Sequence, residues 1–419
     1  MIRLLIIADD FTGGLDTGVQ FASRGIPVCV LTNPDEDMRT AAGNCEVLVV
    51  VTGTRHLPAA EAGSAVGRVV RKSMESGIPY IYKKTDSALR GNIGAELSAA
   101  AAACGASVLP FIPALPVLNR VTRNGIQYID GVPAAESVFG RDPFNPVTES
   151  DVTKLVALQS SLPAGRPDPD HLQSFRGIAV LDAETDGDLL RVGRQISRAG
   201  ALRLTAGCAG FASVLPDLLG LARGRRPVLP KLDPGLFVLC GSLNPVTRKQ
   251  LEYAEAHGFT RIRIPAAVKL HPEDSVSARQ QALFAGWRQQ METKPWMILD
   301  AGSEDPSGRG TADCAAAAGI PAEEVRKRIS ESLGIILEAL AASPSGHTLL
   351  ITGGDTLLEC MNRLEVYRMM PLLEVSPGVV LSGVTLRGQS RFVIAKSGGF
   401  GSVTLLQDLK ELIEKQPAS

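Results

Sequence analysis

The sequence predicts an α/β fold in two domains, each with a largely parallel sheet covered by helices and the active site in the interdomain cleft. Three observations carry this. Short continuous apolar runs alternate with segments of helical period along the chain, which is the pattern of parallel strands buried on both faces. The length, 419 residues, exceeds what one hydrophobic core usually organises. The alternation breaks at 222–235, ARGRRPVLPKLDPG, where three prolines and two glycines favour an extended, solvated linker. The domains are therefore expected at 1–228 and 236–419.

Each element has a local reason. Leu4–Ala8 is a short apolar run, and Asp16–Ser23 has helical spacing. Val28–Thr32 and Val47–Thr52 are rich in β-branched residues and read as strands. Ala59–Ser76 is amphipathic at helical period, and Tyr80–Lys83 is a strand. Ala99–Ala103 reads as a closely packed helix rather than a linker. Val108–Ile112, Ile178–Asp182 and Leu202–Thr205 are further strands, with the helix Gly187–Arg198 before the last. Beyond the linker come the strand Leu236–Cys240 and the helix Pro245–His257, opened by a proline that suits a first helical position. Arg261–Ile264, Trp296–Asp300, Thr348–Thr352 and Phe392–Lys396 complete the expected strands.

Composition excludes several classes. The formal charge of −1 argues against nucleic-acid and membrane-surface partners, which call for a basic excess. The seven cysteines include no C-x-x-C pair and read as buried residues of a reducing compartment. The N-terminal apolar run is too short for a secretory signal, and no stretch approaches the roughly 20 apolar residues of a membrane span. A cytoplasmic location is expected. The five histidines show no metal-binding spacing.

Glycine- and polar-rich elements stand directly after strands, where α/β sheets place ligands. In RLLIIADDFTGGLDTG, Asp9 and Asp10 follow the first strand side by side, and two desolvated carboxylates need nearby compensation. YIYKKTDSALRGN offers Lys83, Lys84, Asp86 and Arg90, and Arg55 ends VVTGTR. The cations suit a substrate carboxylate, brought to the aspartates from a neighbouring strand. Asp9, Asp10 and Asp86 could accept bonds from substrate hydroxyls, or one could act as a base; structural salt bridges are the alternative. The third group is LCGSLNPVT, ITGGDTLLEC and AKSGGFGS. Strand, glycines and then a helix make an anion site of backbone N–H groups, although Asp355 or Thr356 could equally cap that helix. The recurrence of this chemistry at three strand ends favours a nucleotide, yet no P-loop or G-x-G-x-x-G is present.

These motifs resemble those of the four-carbon acid sugar kinases, a family that includes D-threonate, D-erythronate and 3-oxo-tetronate kinases. ADDFTGGLDTG is similar to A-D-D-[FL]-T-G-A-x-D, and KKTDSALRGN to K-K-x-D-S-T-L-R-G-N. YIDGVP with RDPFNPVTES, and GS, GGDT and KSGGFG, follow in the family's order. Gly14 replaces the usual alanine, Ala88 a threonine and Asn119 a glycine before Arg120. The resemblance implies ATP-dependent phosphorylation of the 4-hydroxyl of a sugar acid, with Mg²⁺. It implies that Asp9, Asp10, Arg55, Lys83, Lys84, Thr85 and Asp86 bind the acid. ATP would lie on Ser242, Gly353, Gly354, Asp355, Thr356 and Gly399. Asp10 and Asp86 are the candidate bases, Asp355 could act through Mg²⁺, and the metal ligands are unassigned. The opening stretch favours D-threonate or D-erythronate. The partners expected are a sugar acid and ATP, without nucleic acid or membrane, and a homo-oligomer is compatible. Two other classes remain: a non-catalytic two-domain sensor of a small acid, and a Schiff-base enzyme using Lys83 or Lys84, which needs an amine of depressed pKa.

Overall fold

The computed structural model describes residues 1–142, 145–221, 224–302, 310–340 and 346–416. Pro143 and Phe144 of RDPFNPVTES, and Ala222 and Arg223 of the expected linker, lie outside them. The chain divides into two compact units, Met1–Pro227 and Val228–Ser419.

In the first unit β1 (Leu4–Ala8) leads into α1 (Phe11–Ala22), β2 (Val28–Leu31), α2 (Met38–Ala42) and β3 (Val47–Val51). Then come α3 (Ala59–Glu75), β4 (Tyr80–Lys84), α4 (Ile93–Cys104) and β5 (Val108–Ile112). Three short strands, β6 (Arg120–Arg123), β7 (Ile126–Ile129) and β8 (Val132–Pro133), form a separate antiparallel sheet. The unit closes with α5 (Val152–Ala157), β9 (Ala164–Gly165), β10 (Gly177–Val180), α6 (Asp186–Arg198), β11 (Leu204–Gly207), α7 (Ala209–Ala212) and α8 (Leu215–Leu218). Its main sheet has the order β2-β3-β1-β4-β11-β5-β10-β9, every pair parallel. Fully buried Leu5, Ile7, Leu48, Val66, Leu97 and Ile178 belong to one apolar cluster. Each such side chain contributes about 1.5–3 kcal/mol, so register is strongly specified.

That register positions the site. Ala8 lies opposite both Val51 and Lys84, and Lys84 lies opposite Gly207. The carboxyl ends of β3, β1, β4 and β11 therefore form one level edge. The chain leaves β1 toward β2 and leaves β4 toward β5, in opposite directions, so β1 and β4 flank a topological switch point, where open α/β sheets bind ligands.

The second unit begins with β12 (Gly235–Cys240), α9 (Pro245–Ala256), β13 (Thr260–Arg263), α10 (Ala266–Lys269), α11 (Ala278–Thr293) and β14 (Trp296–Asp300). It continues through α12 (Thr311–Ala317), α13 (Ala322–Leu340), β15 (His347–Thr352) and α14 (Gly354–Arg363). It ends with β16 (Arg368–Ser376), β17 (Val379–Leu386), β18 (Gln389–Lys396) and α15 (Leu405–Glu414). Strands β13-β14-β12-β15-β18 are parallel in that order, and β17 and β16 follow antiparallel. Cys240 pairs with Thr352, and Thr352 with Lys396, which levels the ends of β12, β15 and β18. The chain leaves β12 toward β13 and β15 toward β16, so a second switch point lies between them.

The expected strands are present within a few residues of their ends, and the largely parallel α/β class holds in both units. Two features differ. Helix α1 starts at Phe11 rather than Asp16, because Thr12, Gly13 and Gly14 are helical. The antiparallel strands β6–β8, β16 and β17 were not expected. Their turns are legible afterwards: Arg387 and Gly388 both have positive φ (49° and 78°), the conformation of a type I′ hairpin turn. Among the described residues no helix is long and apolar enough to cross a membrane.

Candidate active site

The paired aspartates of the first strand are compensated by a residue 46 positions away. Arg55 follows β3, and its guanidinium spans both acids: Nε donates to Asp9 Oδ2 at 2.7 Å, and Nη2 to Asp10 Oδ1 at 2.7 Å. It also lies 3.8 Å from Asp86. A planar fork of this kind suits two carboxylates at once. Lys84, at the end of β4, places Nζ 3.7 Å from Asp10 Oδ1, and Thr12 Oγ1 donates to Asp10 Oδ2 at 2.8 Å. Gly13 makes the room: a Cβ there would stand 2.2 Å from the Lys84 ammonium and 2.3 Å from Asp10 Oδ1.

Asp86 closes the cluster. It accepts from Arg90 Nε and Nη2 at 2.9 and 3.1 Å, and from the N–H groups of Ala88 and Arg90 at 3.2 and 3.3 Å. It thus organises a turn in which Leu89 takes φ +70°, a strained value for a bulky residue. Burial opposes the Asp86 charge, but Arg90 and Arg55 hold its carboxyl well below 3.8. Burial likewise opposes the Asp10 charge, and Arg55 and Lys84 outweigh it, pulling the carboxyl down to about 2. The Lys84 ammonium is held above its ordinary range by Asp10 and Asp9 in spite of burial. An amine so held is protonated, which counts against Lys84 as a Schiff-base lysine.

The structure thus brings together Asp9, Asp10, Arg55, Lys84 and Asp86. Thr85 follows Lys84 in the chain, and its Oγ1, like Asp9 Oδ1, is buried with no hydrogen-bond partner among the described residues. Lys83 is not part of this group. It is fully buried, its Nζ lies 2.8 Å from Glu96 and donates to the Lys84 carbonyl at 2.6 Å. Alternation along a strand sends adjacent side chains to opposite faces, and Glu96 on α4 claims Lys83. Asp9 and Asp10 do not part in this way, because they lie beyond the last strand residue.

Sequence reading missed several supports. Glu96 also accepts from Thr54 Oγ1 at 2.5 Å. Asn92 Nδ2 donates to the Thr54 and Leu57 carbonyls at 3.0 and 2.8 Å. Asn145 Nδ2 donates to the Arg55 carbonyl at 3.2 Å. Buried Arg120 donates to Ser87 Oγ at 2.5 Å, and its guanidinium and that of Arg90 each lie 5.0 Å from the centre of the Phe139 ring. Asn119 takes φ +51°, so it keeps the left-handed backbone that glycine would supply; asparagine tolerates that region well.

In the second unit the three glycine-rich loops converge. A Cβ on Gly398 would stand 2.5 Å from Ser242 Oγ, and one on Gly241 would stand 2.0 Å from Thr356 Oγ1, so glycine lets the loops approach without displacing either hydroxyl. Gly353, at φ +100°, is the N-cap of α14, and no side chain caps that helix. Asp355 and Thr356 are therefore not its caps. Asp355 lies 3.4 Å from Arg326 and is half exposed. A cavity of about 730 Å³ elsewhere in this unit is lined by Glu273, Arg328, Glu331 and Arg363, whose charges pair with one another.

Residues 4–215 match a family described as a sugar-binding N-terminal domain, and residues 237–406 match a nucleotide-binding C-terminal domain. A D-threonate kinase of Salmonella typhimurium is 31% identical over 99% of this chain and 99% of its own length. The chain belongs to the four-carbon acid sugar kinase family. A second relative, a D-threonate kinase of Bordetella bronchiseptica, is 30% identical over 96% of this chain and 95% of its own. Relatives named D-erythronate kinase, from Heliobacterium modesticaldum, and 3-oxo-tetronate kinase, from Methylobacterium radiotolerans, are 26% and 27% identical. They cover 85% and 96% of this chain, and 84% and 96% of their own. A solved Salmonella typhimurium LT2 protein shares the fold with a TM-score of 0.79 at 23% identity, covering 99% of this chain and all of that one. The aspartate–arginine cluster of this chain falls within the sugar-binding match, and its three glycine-rich loops within the nucleotide-binding match.

Proposed function

We propose that the chain transfers the γ-phosphoryl group of ATP to the 4-hydroxyl of a four-carbon sugar acid, with D-threonate or D-erythronate as the substrate. The observation that carries this reading is the end-to-end similarity to named D-threonate kinases, together with a charged cluster at one switch point and a glycine cradle at the other. Lys84 and Arg55 hold the substrate carboxylate. Thr85 Oγ1 and Asp9 Oδ1, both short of partners, meet its hydroxyls. Asp10, ionised and less buried than Asp9, orients the reacting hydroxyl and accepts its proton. Asp86, saturated by donors, shapes the loop rather than serving as the base. Phosphoryl transfer relies mainly on positioning and charge neutralisation, so a carboxylate of low pKa suffices for orientation.

ATP lies on Ser242, Gly353–Thr356 and Gly399. Among the described residues no cluster of three or more His, Cys, Asp or Glu could hold a metal. Mg²⁺ takes one or two carboxylates plus phosphate oxygens. Half-exposed Asp355 is the carboxylate of this loop and would hold the ion, which supplies neutralisation of phosphoryl charge. The test is ADP release, followed by a coupled assay with D-threonate, D-erythronate and 3-oxo-tetronate. Release with one of the first two is expected. Release with none overturns the reading and leaves a binding protein.

Two variants test the halves separately. Gly399 has room for a side chain, since its Cβ would meet only Asn244 at 3.4 Å. Gly399→Val should leave the fold intact but obstruct the phosphates, weakening ATP binding tenfold or more, about 1.4 kcal/mol. Calorimetry checks this, and sugar-acid binding should be unchanged. Lys84→Met removes a charged hydrogen bond worth about 1.5–3 kcal/mol, so KM for the acid should rise roughly ten- to hundredfold while KM for ATP moves little. Steady-state kinetics with each substrate varied in turn would expose a misplaced carboxylate site.

A further inference from the structure

We infer that Lys396 is a positioning residue for the nucleotide, an inference that rests on the ATP reading above: by drawing two loop carbonyls inward, it sets the N–H groups of Gly398 and Gly399 outward as a fixed phosphate cradle. Lys396 ends β18 and is 1% exposed. Its Nζ donates to Thr247 Oγ1 at 3.0 Å, to the Ser397 carbonyl at 3.1 Å and to the Gly398 carbonyl at 3.2 Å. Thr247, on α9, in turn donates to the Gly398 carbonyl at 2.6 Å.

An ammonium has three donors, and here three oxygens of the protein engage it. In a trans peptide the C=O of one residue points opposite to the N–H of the next. Turning the carbonyls of Ser397 and Gly398 toward Lys396 therefore turns the N–H groups of Gly398 and Gly399 away from it. Neither N–H has an acceptor among the described residues. Two aligned donors without acceptors, beside a glycine that admits close approach, suit a phosphate oxygen. The buried cation adds positive potential behind them. An unpaired buried ammonium is costly, and a bound polyphosphate would offset that cost.

Burial pushes the Lys396 ammonium down to about 8; the titratable group acting on it is the Cys240 thiol on β12, itself pushed up to about 11 by burial. Above pH 8 the free protein loses the proton that lets Lys396 engage three oxygens, while Cys240 stays a thiol until higher pH. ATP affinity should therefore fall as pH rises from 7 to 10.

The experiment is calorimetric titration of the full chain with ATP and, separately, with D-threonate. It compares wild type, Lys396→Met and Thr247→Val, the last removing one anchoring oxygen should the first variant not fold. Expected are a tenfold or greater rise in Kd for ATP in Lys396→Met and a smaller rise in Thr247→Val. D-Threonate affinity should be unchanged in both. The fall in wild-type affinity between pH 7 and 10 should be absent in Lys396→Met. Wild-type ATP affinity in a folded variant overturns the inference, as does an equal loss for D-threonate. Absence of ATP binding by the wild type overturns the underlying reading, and this inference with it.

Discussion

Asp10→Asn is expected to lower kcat about 10²–10⁴-fold, the usual contribution of a general base, with a smaller change in KM for ATP. The substitution keeps the side-chain shape but removes the charge that faces both Arg55 Nη2 at 2.7 Å and Lys84 Nζ at 3.7 Å. It also removes the capacity to take the hydroxyl proton. Asp9→Asn is the companion variant. Because Asp9 binds the same guanidinium through Nε at 2.7 Å, is only 3% exposed and offers Oδ1 to a substrate hydroxyl, it should cost stability and raise KM for the acid while kcat is kept. Turnover at saturating substrates and the thermal midpoint, measured on both variants, separate the roles. A kcat for Asp10→Asn within threefold of wild type would make that carboxylate a binding or structural group only.

Arg55→Met should destabilise the first unit by about 3–5 kcal/mol, the typical cost of leaving buried charges without their partner. Arg55 is the shared partner of Asp9 and Asp10 and approaches Asp86 at 3.8 Å, so its loss exposes three carboxylates to one another. Arg55→Lys should recover part of the loss, since one ammonium cannot span two carboxylates as the fork does. The deficit should depend on pH. The Asp10 carboxyl lies at about 2 in the folded protein, below its ordinary 3.8. A depressed carboxylate stabilises the fold above its unfolded pKa and loses that contribution as pH falls through the folded value. The gap between wild type and Arg55→Met should therefore be full above pH 3.8 and shrink as pH falls toward 2. Urea unfolding at several pH values measures it, and a deficit under about 1 kcal/mol at neutral pH would show that the cluster does not depend on Arg55.

Much of the fold and the strand-end placement of both candidate site regions were legible in the chain because their signals are local. Continuous apolar strands, helical period between them and polar or glycine-rich exits are set by neighbouring residues, and they located Asp9–Asp10, Lys83–Asp86, Ser242, Gly353–Thr356 and Gly399 at strand ends. Tertiary structure decided what depends on pairing across the sheet. Alternation in β4 says that Lys83 and Lys84 face opposite ways but not which one meets the aspartates; the placement of β4 beside β1, with Glu96 of α4 behind Lys83, settles that for Lys84. The partner of the acid pair is 46 residues distant, and only the β1–β3 register, with Ala8 opposite Val51, carries Arg55 to it. Lys396 reads in sequence as the last residue of a strand. That its ammonium ties together a loop and α9 follows from β18 lying next to β15 and β12, since a buried charge takes its role from the groups that close around it.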